Sequence, residues 1–337
     1  MQVATIGVDL AKHVFQLHGV SPDGAVVLRQ KVRRAQVIAF FTKLPPCLVG
    51  MEACATAHHW AREIGALGHE VRLMPAHYVK PYVKRGKNDA ADAEAICEAV
   101  TRPSMRFVAV KTKEQQSALV MHRVRELLIR QRTQVVNALR GLLAEFGISE
   151  PQGIWHIGRL RAHLDDDTVP EPGRGVLLAL VEQLDQVEKR IDKVDAEILV
   201  WHRGNPVSKR LAKIPGIGPV IATAIVATVS DASLFRSGRG FAAWLGLVPR
   251  QRSTGGKQRM GRISRQGDHY IRRLLIIGAQ GALQRSRDLR ENGWIQGLLA
   301  RCARLKVAVA LANKTARIAW AMMANGDAYR QVASATA

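Results

Sequence analysis

The fold of the first part of this chain is decided by residues 3–9, VATIGVD. The run is apolar until its last residue, Asp9, which is typical of a buried strand that ends at a carboxylate. Two more strands follow with a turn between them, and then strands alternate with helices. This order predicts an α/β layer fold whose first three strands form a meander. Strands are predicted at 3–9, 13–19, 25–32, 47–51 and 70–74, and helices at 35–43 and 57–67.

Helical patterns fill most of the remaining chain. Residues 89–101 are Ala-rich, and residues 113–146 form a long helix. We interpret residues 148–172 as a loop or linker, because they contain three prolines and the acidic run Asp165–Asp167. From residue 203 we expect short helices with Gly-rich turns and then helices at about 268–287 and 303–325. The apolar side of the long helix is predicted to carry Val120, Val124, Leu127, Leu128, Val135, Leu139 and Leu142.

A heptad pattern runs through residues 177–198. Its apolar residues are spaced alternately by three and four positions, which is typical of a coiled-coil seam. The seam could pack on residues 113–146 of the same chain or on another protomer, or it could belong to a core helix of an ordinary bundle. Its members are Leu177, Leu180, Leu184, Val187, Ile191, Val194 and Ile198.

The charge of the chain is strongly positive and unevenly distributed. The 337 residues carry a formal net charge of +22. Residues 1–200 hold 27 basic and 23 acidic side chains, whereas residues 201–337 hold 23 basic and 5 acidic ones. Such a balance favours a polyanionic partner, either nucleic acid or an anionic membrane, and its position indicates a dedicated binding region. A merely basic, ribosome-like protein is the alternative.

Membrane, secretory and metal-thiolate classes find no support in the sequence. No apolar run reaches the roughly 18 residues that a bilayer span needs, and charged residues interrupt the chain start. The cysteines, Cys47, Cys54, Cys97 and Cys302, are scattered and form no C-x-x-C pair. We therefore expect a cytoplasmic protein without disulfides and with no membrane contact.

Four carboxylates have positions that suit metal binding. Asp9 and Glu52 each end a predicted strand, and Asp89 and Asp92 open a helix on one face. Such groups can converge at the carboxyl edge of a sheet and hold one or two Mg²⁺ ions, which prefer oxygen ligands. Alternatively, Asp89 caps its helix and Asp92 lies on the surface.

Residues 211–229, LAKIPGIGPVIATAIVATV, match a helix-hairpin-helix. Glycines in the turn let backbone N–H groups approach a phosphate, and the N-terminus of the second helix favours an anion. An ordinary helical hairpin is the alternative. The predicted contacts to nucleic acid here are Lys209, Arg210, Lys213, Gly216 and Gly218.

Residues 246–267, GLVPRQRSTGGKQRMGRISRQG, hold six cations and no acid. Ser253 lies in this segment on a predicted loop, where arginines could hold a phosphate and stabilise charge. On physical grounds Ser253 is one candidate nucleophile beside Thr254 and Ser264. The predicted nucleic-acid contacts are Arg250, Arg252, Lys257, Arg259, Arg262 and Arg265.

Five motifs, in order, resemble the DEDD-type transposases of the insertion-sequence 110 family, most closely its subgroup 1111. They are IGVDLAK (6–12), VGMEACATAHHWA (49–61), KRGKNDAADAEAI (84–96), IPGIGPVIATAIVATV (214–229) and the segment 241–276, which contains RQRSTGGKQR.

This resemblance implies a RuvC-like N-terminal domain of the ribonuclease-H type (1–110), a helical coiled-coil region (111–202), and a mainly α C-terminal transposase domain (203–330). It implies that Asp9, Glu52, Asp89 and Asp92 form a Mg²⁺-binding tetrad, with Mn²⁺ as a substitute, and that Ser253 forms a phosphoserine link to DNA. It also implies a guide (bridge) RNA that pairs with donor and target DNA, and a homodimer that pairs into a tetramer.

The sequence thus predicts an enzyme that cuts and rejoins DNA to move its own insertion sequence. Two alternatives remain open at this stage. One is a RuvC-like junction-resolving nuclease that uses water as the nucleophile. The other is a non-catalytic nucleic-acid-binding protein.

Overall fold

The computed structural model describes residues 2–84, 88–164 and 168–329, and the chain divides into two compact units, residues 1–113 and 114–337. The predicted acidic run Asp165–Asp167, residues 85–87 of the motif KRGKNDAADAEAI, and residue 330 at the predicted end of the last domain lie outside the described residues. Across those ranges, no helix has both the length and the apolar character that crossing a bilayer requires.

A five-stranded mixed sheet forms the centre of the N-terminal unit, as the strand pattern predicts. Its strands are β1 (Thr5–Asp9), β2 (Val14–Val20), β3 (Val26–Arg33), β4 (Leu48–Glu52) and β5 (Glu70–Met74). Their order is β3-β2-β1-β4-β5. The meander β1-β2-β3 is antiparallel, whereas β4 runs parallel to both β1 and β5. The carboxyl ends of β1 and β4 therefore lie side by side.

Helices cover both faces of this sheet. They are α1 (Val37–Thr42), α2 (Ala57–Gly65), α3 (Ala76–Val79) and α4 (Asp89–Val100). On β1, Ile6 and Val8 enter one core with α1 and α2 residues, while Gly7 lies against α4 on the other face. A Cβ on Gly7 would lie 2.1 Å from the carbonyl oxygen of Ala93, so α4 can contact β1 only because this residue is glycine.

The C-terminal unit is mainly helical, with one two-stranded sheet in the described part. Its helices are α5 (Lys113–Ala144), α6 (Ile157–Ala162), α7 (Gly173–Gly204), α8 (Pro206–Leu211), α9 (Pro219–Thr228), α10 (Gly238–Trp244), α11 (His269–Arg285), α12 (Arg287–Glu291), α13 (Gly293–Leu299) and α14 (Arg304–Asn325). The strands are β6 (Pro249–Gln251) and β7 (Met260–Ile263), which pair antiparallel.

The predicted apolar side of α5 is wrong in part. Val120, Val124, Leu127 and Leu142 are exposed, whereas Leu128, Val135 and Leu139 are buried as predicted. His122 is also buried and bonds to α9 and α11. The helix is apolar on more than one side, so its partners decide which side is covered.

The heptad residues of α7 pack against α5 of the same chain. Leu177 and Leu184 share a core with Leu139 and Leu143 of α5. Further along, Val187 and Ile191 pack on Leu128. Arg125 also forms an ion pair with Asp195 across the two helices. These contacts lie within one chain, and a coiled-coil contact with another protomer stays a prediction.

The interpretation of residues 148–172 as a loop is wrong in its middle part. A 3₁₀ turn at Ile154–His156 leads into α6, and Ile157 and Leu160 are buried in the core between α5 and α7. Arg161 pairs with Asp185 and Glu188 of α7. The prolines bound this short helix and do not exclude it.

Candidate active site

Three of the four predicted carboxylates converge on the α4 side of the sheet. Asp9 ends β1, and Asp89 and Asp92 lie in the first turn of α4. One carboxylate oxygen from each lies within 4.8 Å of the others. The contact at Gly7 accounts for this convergence, because it brings α4 onto β1 beside Asp9.

Glu52 lies outside that 4.8 Å group but interacts electrostatically with two of its members, Asp9 and Asp92. It ends β4, next to the end of β1. Burial, followed by repulsion from Asp9 and Asp92, raises the pKa of the Glu52 carboxyl. The structure therefore places Glu52 beside the trio rather than within it.

Asn88 is a site residue that the sequence reasoning missed. Its side chain caps α4 by accepting a hydrogen bond from the Ala90 N–H at 3.0 Å. The alternative role for Asp89, capping this helix, is therefore filled by its neighbour. The sequence N-D-A-A-D (88–92) could have indicated Asn88 as the N-cap of α4, because Asn is as good an N-cap as Asp.

The electrostatics of the trio favour a cation. Burial, and then repulsion from Asp92 and Asp89, raises the pKa of the Asp9 carboxyl to about 6. A bound divalent cation would relieve this repulsion, and clustered carboxylate oxygens are the donors that Mg²⁺ takes. The residues present thus fit a divalent metal.

Ser253 lies in the connection of an antiparallel hairpin, where the sequence predicted only a loop. The β6 and β7 strands lead into a tight turn in which the Lys257 N–H bonds to the Thr254 carbonyl at 3.1 Å. The hairpin was missed because both strands are largely exposed, so no apolar alternation marks them. The Ser253 side chain is exposed, and its Oγ accepts a hydrogen bond from Gln251 Nε2 at 3.0 Å.

The cations of the hairpin differ in what they contact. Arg250 donates through Nη2 to the Ser264 carbonyl at 2.8 Å and so braces the hairpin base. Arg265 has a left-handed backbone, with φ of 57°, at the exit of β7. The other four are exposed and form no ion pair with any residue that the structure describes: Arg252, Lys257, Arg259 and Arg262.

The predicted helix-hairpin-helix segment, residues 211–229, contains one helix, α9, and the helix before the turn, α8, ends at the first residue of the segment, Leu211. Gly216 has a φ of +89°, and a Cβ there would lie 2.9 Å from the Gly278 carbonyl oxygen, so its small size serves packing on α11. Gly218 is the N-cap position of α9. Lys209 and Lys213 are exposed, while Arg210 is half-buried. Nucleic-acid contact by these residues stays a prediction.

The carboxylate cluster at the edge of the sheet suits a divalent metal, and the basic charge of the helical unit suits nucleic acid. Together they indicate a nucleic-acid-processing enzyme. Comparisons with known proteins identify the class more closely. Residues 6–148 match a family model described as a transposase, of the DEDD type of IS110 elements. Residues 208–293 match the model of the transposase IS116/IS110/IS902 family.

Curated relatives match over almost the whole chain. A probable family 20 transposase of Pseudomonas aeruginosa is 50% identical over 98% of this chain and 99% of its own length. The transposase for insertion sequence element IS1328 of Yersinia enterocolitica is 41% identical over 97% and 98%. The transposase for IS1111A of Coxiella burnetii is 37% identical over 97% and 92%.

The chain belongs to the IS110/IS116/IS902 family of transposases. It is therefore an enzyme of DNA cleavage and rejoining, with DNA as its substrate. The predicted resemblance is confirmed at this level, including the relation to the 1111 subgroup. The alternative of a non-catalytic nucleic-acid-binding protein does not hold.

Proposed function

We propose that this transposase excises and inserts its own insertion sequence through a covalent phosphoserine intermediate at Ser253, with Mg²⁺ held by Asp9, Glu52, Asp89 and Asp92. The observation that carries the proposal is the pairing of two features in one chain. One is the trio of carboxylates within 4.8 Å. The other is an exposed serine on a hairpin with unpaired cations.

The proposed chemistry at Ser253 conserves the energy of the phosphodiester. The Oγ attacks a DNA phosphorus, an Oγ–P bond forms, and the bond from phosphorus to the leaving DNA oxygen breaks. The serine loses its proton and the leaving oxygen gains one. In the reverse step a DNA hydroxyl attacks the phosphoserine, which restores the serine and joins the strands without an external energy source.

The residues around Ser253 have distinct roles in this proposal. The hydrogen bond from Gln251 orients the hydroxyl on the hairpin. Exposed guanidinium and ammonium groups stabilise the charge that builds on the phosphate oxygens. Arg250 holds the hairpin base through the Ser264 carbonyl rather than meeting the phosphate.

The acidic residues would hold the metal. A bound Mg²⁺ would act as a Lewis acid that polarises a phosphate oxygen. Among the carboxylates, Asp9 ends the middle strand of the sheet, β1, and its carboxylate lies within 4.8 Å of those of Asp89 and Asp92.

We propose that a guide RNA pairs with donor and target DNA, and that homodimers pair into tetramers. The proposed contacts to nucleic acid are Lys209, Lys213 and the four exposed hairpin cations, Arg252, Lys257, Arg259 and Arg262. Residues 1–110, 111–202 and 203–330 would serve as RuvC-like, coiled-coil and transposase domains. The concentration of positive charge after residue 200 supports the nucleic-acid role.

A denaturing gel tests the covalent step. The full-length protein, DNA that carries the ends of the element, and RNA transcribed from its flank are incubated with Mg²⁺ and stopped with detergent. We expect labelled DNA that migrates with the protein, and its loss in Ser253→Ala. Ser264→Ala is the matched control, because the Ser264 contact with Arg250 uses the backbone carbonyl and should survive.

A junction-resolving nuclease is the second candidate function. The carboxylate cluster by itself would support hydrolysis, with water in place of serine. Free DNA ends with no protein attached, in amounts unchanged by Ser253→Ala, would favour this function and contradict the first.

A further inference from the structure

A groove of about 1130 Å³ opens in the C-terminal unit, away from the residues to which a role is assigned above. It lies along α14, between α10, α13 and the base of the Ser253 hairpin. Its lining contains no carboxylate. The lining cations are Arg239, Lys306, Lys314 and Arg317, and the lining tryptophans are Trp294 and Trp320.

The cations of the groove are not neutralised by the protein. Within residues 2–84, 88–164 and 168–329, none of the four pairs with a carboxylate. Like charges around one concave surface repel one another and concentrate a positive potential there. An anionic ligand with several charges, such as a chain of phosphates, would relieve this repulsion.

Trp294 adds an aromatic surface to this positive groove. Its side chain is 42% exposed, although tryptophan is highly buried on average. The Lys314 ammonium lies 4.6 Å from the ring centroid and holds it by a cation–π contact. An exposed aromatic ring beside cations is the arrangement on which unpaired bases stack while their phosphates bind the charges. A duplex offers no free base face for such stacking.

The groove is joined to the hairpin that carries Ser253. Pro249 and Ile263, at the base of β6 and β7, line its wall. The Asn313 side chain of α14 donates to the Leu247 carbonyl at 3.1 Å, which fixes α14 to the start of the hairpin. Ser253 follows Pro249 by four residues, so at most about 14 Å of extended chain separates them.

We propose that this groove binds an unpaired segment of the DNA strand that Ser253 cuts, with one base stacked on Trp294 and successive phosphates on the four cations. The assignment of the strand rests on the proposed function. The groove would hold the strand after it leaves the duplex and would keep its end near the hairpin for rejoining.

Fluorescence anisotropy with full-length protein and a 12-nucleotide oligothymidylate tests the groove. Trp294→Leu should weaken binding by about tenfold or more, since stacking on one aromatic contributes on the order of 1–3 kcal/mol per base. Lys314→Gln and Arg317→Gln should each lower the slope of log K against log salt by about 0.7. These two variants test the groove even if the tryptophan variant folds poorly.

Matched controls lie elsewhere on the chain. Trp155 is 91% exposed and lies outside the groove, so Trp155→Leu should bind like the wild type. Arg301→Gln removes one exposed charge outside the groove and should also leave the affinity unchanged. Thermal melting of each variant confirms that it is folded.

Three outcomes would overturn the proposal. In the first, the Trp294 and cation variants bind oligothymidylate as tightly as the wild type. In the second, the variants lose affinity only for an RNA probe of equal length. In the third, they lose as much affinity for a blunt duplex as for the single strand. The adduct assay separates this result from the proposed function. If no adduct forms but Trp294→Leu still weakens DNA binding tenfold, the groove stands and the serine mechanism fails. If the adduct forms and the groove variants bind normally, the serine mechanism stands and the groove proposal fails.

Discussion

The two units of this transposase handle charge in opposite ways. The N-terminal unit places three carboxylates within 4.8 Å, and burial together with repulsion from Asp92 and Asp89 raises the pKa of Asp9. The C-terminal unit places cations on a hairpin and in a groove without carboxylate partners among the described residues. In each arrangement the like charges repel one another, and a ligand of opposite charge would relieve this repulsion. The ligand would be a metal ion in one unit and a nucleic acid in the other. Both regions are therefore built for ligands rather than for the stability of the fold.

The largest expected effect comes from removing charge at the acidic cluster. Asp9→Asn, Asp89→Asn and Asp92→Asn should each lower the rate of DNA cleavage by about 10³-fold or more, because the loss of a metal ligand removes electrostatic stabilisation of the transition state. Glu52→Gln should do the same, because Glu52 is one of the four proposed metal ligands. Cleavage is measured with labelled element ends in Mg²⁺.

Glu98→Gln is the matched control for these variants, because Glu98 is an exposed carboxylate on the same helix, α4. Chelation of divalent metal should reproduce the loss, and added Mg²⁺ or Mn²⁺ should restore activity. Normal cleavage by the triple variant would refute the metal site.

The next effect concerns the hairpin cations. Replacing Arg252, Lys257, Arg259 and Arg262 with Gln should lower the slope of log K against log salt for duplex DNA by up to about 0.9 per residue. Lys31→Gln with Arg33→Gln removes exposed charges from β3 of the other unit and serves as the control. An equal decrease in the control would mean that binding follows total charge and not position.

A smaller effect is expected on the stability of the N-terminal unit. Saturating Mg²⁺ should raise its melting temperature by several degrees, because a ligand at 100 times its Kd stabilises the folded state by about 2.7 kcal/mol. In Asp9→Asn the increase should be lost, and the metal-free protein should melt higher than the metal-free wild type. Calorimetry with Glu98→Gln as control measures both. A Mg²⁺ shift that survives in Asp9→Asn would place the metal elsewhere.

The smallest effect is a pH dependence at His122. This buried histidine bonds to Thr223 Oγ1 at 2.9 Å and to Tyr270 Oη at 3.1 Å, and it faces Arg125 and Asp195. Burial, and then the charge of Arg125, lowers the pKa of His122 from 6.5 to about 4. The unfolded chain therefore binds a proton near pH 6.5 while the folded protein does not. Its contribution to stability is complete above pH 6.5 and decreases as the pH falls towards 4.

Urea unfolding at pH 7.5 and pH 5 measures this contribution. The wild type should lose about 2 kcal/mol more than His122→Asn between these two pH values. His59→Gln changes an exposed histidine and should behave like the wild type. Equal losses in the wild type and His122→Asn would show that His122 takes up its proton in the folded state.

The sequence was most informative where burial repeats along an element. All five strands of the sheet lie within a residue or two of their predicted bounds, because apolar runs ended by turns leave few alternatives. The covered face of α5 was less predictable, because Val120 and Leu128 are equally apolar and only the position of α7 and α9 separates them. The packing of α6 and the exposed β6–β7 hairpin likewise depend on contacts far along the chain.

The site was predictable in its members but not in its geometry. Asp9, Asp89 and Asp92 follow from strand-end and helix-start positions. Their convergence, however, depends on the close contact between Gly7 and Ala93, which joins residues far apart in the chain. Glu52 ends the neighbouring strand, and no sequence pattern shows that it lies outside the 4.8 Å group. For Ser253 only its residue type and its basic segment could be recognised in the sequence, and the exposed position on the hairpin is a finding of the structure.

Mass spectrometry of the covalent intermediate tests the central claim most directly. Trypsin cuts after Arg252 and Lys257, so Ser253 is released in the five-residue fragment 253–257, STGGK. After nuclease digestion of a stalled reaction, we expect this fragment to carry one nucleotide joined through its phosphate to the Ser253 Oγ. We expect no fragment with this added mass from Ser253→Ala. A nucleotide on Thr254 or on Ser264, or cleaved DNA with unmodified STGGK, would contradict the serine mechanism.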